Sequence, residues 1–581
     1  MSKMTASRAL VKVLESWDVD HLYGITAGSL NNLLNALDEE KDNIKYVQVR
    51  HEEVGAMAAS ADHKYTGKIG VSFGSAGPGA THMFNGLYDA KEDNTPMLAL
   101  VGQVPQPMMN TRFFQEMDEL PMFADVSVYN RQASTAKQIP KIIDEAIRTA
   151  YQKKGPAVVI LPNDLLGTEI DYEPIKTANV SSSIKTVHPK QADVDEAVKM
   201  IKKAKHPVLW YGRGAKGARD EIVKVSDRFS MPVLSTAPAT GIMPNDNLSY
   251  MGARGRLGSK PGFEVSQAAD LIIMLGNDFP FARFMPQDKQ IIQVNNNLAD
   301  LGRQYQANLT IHGDAKEFLE MLIDSGVKLP KSDFLKAARL DRENWLKWLD
   351  SIATDYDEGL RAETVLKAVA DHSKSDAVYG LDVGNNTMHS IRQLPLNQEQ
   401  KFAMSPWFGT MGFGLPASIS AKLSYPDRQV WSISGDGGFA MVMQDLLTQA
   451  KYNLPVINVV LSNDRFGYIE HEDAQSDISD YGTKLYEADF AQVADGLGGH
   501  GFKVSGQDEL DAAMEEVDRM QAEGNTKPIV IDAKIKAFDP IDTSFVPLDP
   551  EQFDQKTIDD YKKRYNVYGQ PALSEIMKSL K

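Results

Sequence analysis

Short apolar runs closed by glycine alternate along this chain with stretches whose apolar positions recur every three or four residues. Val430–Ser434 is such a run, closed by Gly435-Asp436-Gly437-Gly438. Behind it, Phe439–Tyr452 spaces Met441, Leu446, Leu447 and Ala450 as on one face of a helix. Pro455 ends that helix, and Val456–Leu461 is a β-branched run suited to a buried parallel strand. The unit is strand, turn, helix, strand.

Residues 68–102 repeat the plan, with Gly77-Pro78-Gly79 as the turn. The interval from Gly77 to Pro96 is 19 residues and that from Gly437 to Pro455 is 18, a weak internal duplication. Elsewhere the pattern predicts a helix at Thr5–Trp17, strands at His21–Ile25 and Tyr46–Val49, and an Ala-rich helix at Val54–Tyr65. Residues 131–161 read as helix and then strand. Further strands are predicted at His206–Tyr211, Pro232–Leu234, Ala377–Val383 and Pro528–Ala533. This alternation predicts the α/β class, with three doubly wound domains built on parallel sheets. The expected domains are 1–184, 185–335 and 350–545, followed by a polar tail at 546–581. Asn163–Lys190, which contains Ser181-Ser182-Ser183, has little period and reads as a linker. Leu329–Gly359 reads as a helical link to the third domain.

Composition narrows the partners. A net charge of −17 disfavours nucleic acid and anionic membranes, so an anionic ligand would need a local positive site. With no cysteine there is no thiolate nucleophile, disulfide or cysteine-zinc site. The first residues lack the apolar core of a signal peptide, and runs such as Leu271–Leu275 are too short to span a bilayer. A cytoplasmic protein without stable membrane association is expected.

The GDGG turn is where chemistry is expected. In a strand–turn–helix unit the turn lies at the carboxyl edge of the sheet, where ligands bind. Gly435, Gly437 and Gly438 let phosphate approach the backbone, and a helix N-terminus favours its charge. Asp436 supplies a carboxylate and Asn463, 27 residues on (436 to 463), a side-chain carbonyl. Arg465 supplies a backbone carbonyl. With diphosphate oxygens and water, these suit octahedral Mg²⁺.

GDGG…SND resembles the cofactor motif of the thiamine-diphosphate superfamily of pyruvate oxidases, acetolactate synthases and pyruvate decarboxylases. The similarity to phosphate-dependent pyruvate oxidases covers nearly the whole chain. It implies a first domain for the pyrimidine of the cofactor, a central FAD domain and a third domain for the diphosphate. Arg50-His51-Glu52-Glu53 matches the region of the catalytic glutamate, which bonds the pyrimidine. Within that match Glu52, directly after His51, is the choice over Glu53; the neighbours cannot both point the same way, since consecutive side chains diverge. His82 matches an active-site histidine. Phe114-Gln115 matches a loop above the reacting ring, and Tyr468 and Glu472 stand where the oxidases have Phe and Glu. Val383 is implied at the aminopyrimidine. Met411 is implied as the wedge that bends the cofactor.

In the central region Gly212-Arg213-Gly214-Ala215-Lys216-Gly217 is a literal GxGxxG. The acid that would support NAD is missing, because the next strand ends in Ser235-Thr236-Ala237. The resemblance implies FAD instead, held by Gly212, Arg213, Gly214, Arg256, Asn277 and Asp314. The chain departs from the family at Thr26-Ala27, where Pro-Gly is usual, and at Val294-Asn295-Asn296-Asn297, where acids are usual. The implied reaction takes a 2-oxo acid, pyruvate first, with phosphate and O₂, in a homodimer or homotetramer. The competing readings are a non-oxidative carboligase or decarboxylase and a non-catalytic nucleotide-binding protein. The intact Glu52, Asp436 and Asn463 argue against the last.

Overall fold

The computed structural model describes residues 2–173, 186–281, 285, 286, 288–353, 359–397, 399–476, 478–536, 553–565 and 570–580. Three six-stranded, all-parallel sheets follow one another along the chain. The first runs Lys45–Gln48, His21–Gly24, Gly70–Gly74, Met97–Gln103, Pro156–Pro162, Tyr129–Gln132. The third runs Lys401–Ala403, Val378–Leu381, Val430–Gly435, Ile457–Ser462, Ile529–Lys534, His500–Val504. Numbered by appearance in the chain, both have the order 2-1-3-4-6-5. The duplication suspected from two glycine turns therefore extends to the whole sheet. The central sheet runs Tyr250–Ala253, Val233–Ser235, Pro207–Tyr211, Leu271–Leu275, Gln290–Asn295, Leu309–His312, or 3-2-1-4-5-6, the order of dinucleotide-binding sheets. Central strands such as Leu271–Leu275 are apolar throughout because helices cover both faces.

The first and third domains share one core. Two helices make the contact, Glu52–Thr66 and Gly414–Ser424. Both helices are rich in buried small residues (Ala58 and Ala61 on one, Ala417, Ser418 and Ala421 on the other), and the Ser420 hydroxyl of the second donates to the Asp62 carboxylate of the first. The Tyr65 hydroxyl then reaches the Tyr379 carbonyl at 2.7 Å.

Several elements differ from the sequence expectation. Phe439–Tyr452 is not one helix but Asp436–Val442, a 3₁₀ turn at Met443–Asp445, and Leu446–Lys451. Met441 and Leu447 are consequently exposed. The break is built around the buried Asp445, whose Oδ1 accepts from the Thr448 hydroxyl (2.7 Å) and from Arg50 N–H (2.9 Å) in the first domain. The first domain is broken at the equivalent place, into Pro78–His82 and Phe84–Glu92. His82 thus ends a short helix instead of opening a long one.

Part of the expected linker is ordered. Asn163–Leu166 is helical, and Glu169–Tyr172 pairs antiparallel with Ser2–Thr5. Ser181–Ser183 lie outside the described residues. The strand Tyr129–Gln132 was not expected either; it is a four-residue edge strand with polar Asn130, Arg131 and Gln132. The helix Asp333–Ile352 does not simply bridge two domains. Phe334, Ala337 and Ala338 pack on the central sheet together with Leu573 and Ile576 of the tail. Among the described residues no helix is long and apolar enough to cross a membrane.

Candidate active site

In a sheet of order 2-1-3-4, a crevice opens between strands 1 and 3, whose connections leave to opposite sides. In the third domain those are Val378–Leu381 and Val430–Gly435. A cavity of about 670 Å³ begins there. It is lined by Val383, Met411, Gly435, Asp436, Gly437, Gly438, Asn463, Arg465, Tyr468 and Glu472. The turn, the strand end at Asn463 and the Met411 loop are far apart in sequence, and the topology brings them together.

Asp436 opens its helix and is 6% exposed. Its Oδ1 accepts from Gly437 N–H (2.8 Å), and its Oδ2 from the N–H groups of Asn463 (3.0 Å) and Asp464 (2.6 Å). Burial pushes its carboxyl above the ordinary aspartate range, against the pull of these three donors. Asp464 takes a left-handed conformation, φ 57°, which turns the chain sharply between Asn463 and Arg465. Tyr468 and Glu472 lie one turn apart on the helix Gly467–Gln475. Glu472 pairs with Arg256 of the central domain, whose guanidinium carbon lies 5.6 Å from the centre of the Tyr468 ring.

The same cavity continues into the central domain. There the crevice lies between the first and fourth strands, Pro207–Tyr211 and Leu271–Leu275, and is lined by Gly212, Arg213, Gly214, Arg256 and Asn277. Two loops touch here: a Cβ on Gly214 would stand 2.8 Å from the Gly276 Cα. Only glycine allows this approach. Arg213 donates to the Asp93 carbonyl at 2.9 Å, joining this loop to the first domain. Asp314 does not line the cavity. It lies two residues past the edge strand Leu309–His312, and its carboxylate caps the next helix through Lys316 and Glu317 N–H, at 2.9 and 3.1 Å. Asp314, expected at the flavin, is seen here as a helix cap.

Glu52, His82, Phe114 and Gln115 do not line this cavity in their own chain. Glu52 begins its helix and is 7% exposed, and its carboxylate meets His82 Nδ1 at 2.9 Å. The Gly79 backbone lies directly against it, since a Cβ there would stand 2.9 Å from Glu52 Oε1. Glu53 turns the other way and pairs with Asn85. Asn85 also donates to the Thr410 hydroxyl, next to Met411. Within residues 110–115, Asn110, Arg112 and Gln115 are all left-handed, an uncommon density for non-glycine residues. This loop holds Phe114 77% exposed.

Two features were missed in the sequence. One is Asp382, an acid directly after an apolar strand at the crevice; its position just before Val383-Gly384 was the available signal. The other is Glu119, which follows the Phe114 loop and is 1% exposed. Its Oε2 accepts from Gln103 Nε2 at 3.1 Å, and burial pushes its carboxyl up to about 8. The folded state therefore keeps this proton until about pH 8, whereas the unfolded chain releases it near ~4.3. Stability from this group is lost as pH rises through that window. Glu119→Gln should be more stable relative to the parent at pH 8 than at pH 5 by calorimetry. An equal difference at both pH values would refute the buried neutral acid.

The donor set fits a metal-bound diphosphate. A carboxylate has about four acceptor positions, and three on Asp436 are taken by N–H groups, which leaves one on Oδ1. Among the described residues no three His, Cys, Asp or Glu side chains could hold a metal together. An ion beside Asp436 would thus draw on amide and backbone carbonyls and on the ligand's own oxygens. The buried Asn385 Oδ1, also on the cavity wall, lacks a hydrogen-bond partner. The described lining residues include seven Arg or Lys against five Asp or Glu, a local positive excess on a chain of net charge −17. In the central half, the glycine approach and the partnerless Asn277 Oδ1 and Asp278 Oδ1 fit a nucleotide.

Comparison with known proteins agrees with this geometry. Residues 4–122, 194–322 and 382–533 match the N-terminal TPP binding domain, central domain and C-terminal TPP binding domain of thiamine pyrophosphate enzymes. The chain is 39% identical to a pyruvate oxidase of Lactiplantibacillus plantarum, over 99% of this chain and 96% of the relative. It is 38% identical to a putative thiamine pyrophosphate-containing protein of Bacillus subtilis, over 92% of each. It is 29% identical to the acetolactate synthase large subunit of Corynebacterium glutamicum, over 91% of this chain and 86% of the relative. With three matched domains in three parallel-sheet units and a diphosphate-type turn at the crevice of the third, the chain belongs to the thiamine pyrophosphate enzymes, the family of pyruvate oxidases and acetolactate synthases.

Proposed function

We propose that the protein oxidises pyruvate: pyruvate, inorganic phosphate and O₂ yield acetyl phosphate, CO₂ and H₂O₂. The observation that carries this reading is the continuity of one cavity from Gly212 and Asn277 to Asp436 and Met411, with Tyr468 and Glu472 on its wall. Gly212 and Asn277 at one end and Asp436 and Met411 at the other would hold a flavin and a thiamine ring in one cavity. When bound, thiamine diphosphate supplies the nucleophilic carbon for decarboxylation, and FAD supplies a two-electron acceptor.

The chain's own residues hold and orient. Asp436, the Asn463 side chain and the Arg465 carbonyl hold Mg²⁺, and Gly435, Gly437 and Gly438 admit the diphosphate. Val383 and Met411 fix the ring. Gly212, Arg213, Gly214, Arg256 and Asn277 hold the flavin. Glu52 moves the proton of the pyrimidine, with His82 on its carboxylate. Phe114, Gln115, Tyr468 and Glu472 close the space around a small acyl group. Because Glu52 and Phe114 lie off their own chain's cavity, the active form is a dimer or a dimer of dimers in the cytoplasm. The absence of cysteine suits a peroxide producer, since thiols oxidise most readily.

The test is oxygen uptake by flavin-loaded protein with pyruvate, with and without phosphate. Uptake that forms acetyl phosphate and depends on phosphate is expected. Acetolactate formed without oxygen consumption would replace this reading with the carboligase one, to which the 29%-identical relative points.

A further inference from the structure

Two segments of the cavity wall meet at one buried carboxylate. Asp382 directly follows the strand Val378–Leu381 at the crevice and is wholly buried. Its Oδ1 accepts from three backbone N–H groups: Val383 at 2.7 Å, Gly412 at 2.8 Å and Phe413 at 3.1 Å. Its own N–H donates to the Ile433 carbonyl at 2.9 Å, and its carbonyl accepts from the Thr387 hydroxyl. Its Oδ2 lies under the GDGG turn, 2.4 Å from where a Cβ on Gly438 would stand. Gly412 is left-handed, φ 83°, and a Cβ on it would stand 3.6 Å from the Gly438 carbonyl oxygen. The Met411 loop and the GDGG turn are thus packed together, with this carboxylate beneath both.

We propose that Asp382 is a positioning residue that holds the Met411 loop in place against the diphosphate turn, and so sets the posture of the ring relative to the phosphates. The inference rests on the thiamine-diphosphate reading of the cavity. Met411 immediately precedes two of the three N–H groups that Oδ1 holds, those of Gly412 and Phe413. Removing the acceptor leaves both buried and unpaired, a cost relieved only if the loop moves. The turn itself keeps its own supports, the three N–H groups on Asp436. Loss of Asp382 should therefore weaken contacts at Met411 more than contacts to phosphate. Burial raises the Asp382 carboxyl to about 6, so it remains largely an anion at neutral pH, as a triple acceptor should.

The experiment titrates the full-length protein at neutral pH with Mg²⁺ and either thiamine diphosphate or inorganic diphosphate. Inorganic diphosphate reports on the turn alone. Asp382→Ala should lose about tenfold or more of the affinity advantage of thiamine diphosphate over diphosphate. Asp382→Asn keeps the acceptor oxygen and should hold that advantage to within about threefold of the parent. An equal loss for both ligands in Asp382→Ala would reduce Asp382 to general structural support. A full loss in Asp382→Asn would also overturn the proposal. Hydrogen exchange in the parent without cofactor supplies an arm that needs neither variant nor ligand. The Gly412 and Phe413 amides should exchange slowly, and fast exchange would overturn the proposal. If the parent binds neither ligand while those amides are protected, the thiamine-diphosphate reading has failed and with it the role assigned to the anchor.

Discussion

Asp436→Ala should leave a folded protein that no longer holds Mg²⁺ and thiamine diphosphate. The carboxylate does two things at once. It is the one acidic side chain among the proposed metal ligands, and it gathers the N–H groups of Gly437, Asn463 and Asp464 on its two oxygens. The first role sets the charge presented to the ion, and the second fixes the direction of Asn463. Removing even an outer-shell partner of a metal typically costs about 10–100-fold in affinity, so losing a ligand and the anchor of a second should cost more. The fold should survive, because the supporting strands Val430–Gly435 and Ile457–Ser462 pair over five residues independently of this side chain. Calorimetric titration with Mg²⁺ and cofactor, beside a thermal melt, separates the two effects. Retained affinity in Asp436→Ala would refute the metal assignment. The raised Asp436 carboxyl adds a pH dependence: as pH falls the proton competes with the ion, so cofactor affinity should drop on the acid side.

How much of this was legible before the fold was known depends on the range of the interaction. The strands and the GDGG turn were legible because their signals are local: β-branched runs, a glycine cluster, a proline stop. The duplication was faintly legible in two similar intervals, and the shared strand order 2-1-3-4-6-5 made it plain. The break at Met443–Asp445 was not legible, since Met441 and Leu447 fit a helical face by spacing alone. What breaks the helix is a buried acid answering an N–H of another domain, at Arg50. The cap at Asp314 was not legible for a similar reason: an acid after a strand end can face a ligand or cap the next helix, and only the surroundings decide. At the site, Glu52 was chosen over Glu53 for its place directly after His51; that the two face apart, towards His82 and Asn85, follows from their being consecutive. The contact between Arg256 and Glu472 joins two segments that the sequence treated separately, one assigned to flavin and one to substrate.

Glu52→Gln should bind cofactor yet lose about 10²–10⁴ in turnover, the usual worth of a positioned proton-transfer group. Gln is isosteric and can still bond a pyrimidine nitrogen, but it cannot exchange the proton. Glu53→Gln should be mild by comparison, and the reverse ranking would overturn the choice between the neighbours. The location of Glu52 makes a second demand. It stands beside His82 and Gly79, while the cavity that holds Asp436 and Met411 does not reach it within one chain. The aromatic Phe114 of the same domain is 77% exposed, and the proposed dimer would cover it. In the proposed dimer a complete site takes Glu52 from one chain and Asp436 from the other. Each single variant disables both sites of its own homodimer. A hybrid of one Glu52→Gln chain with one Asp436→Ala chain carries both lesions in one site and none in the other. Equal mixing with free subunit exchange makes half of the dimers hybrids, so activity should recover to about a quarter of the parent's. Mixed chains that exchange, as shown by a labelled subunit, yet stay inactive would place Glu52 and Asp436 in the same chain's site.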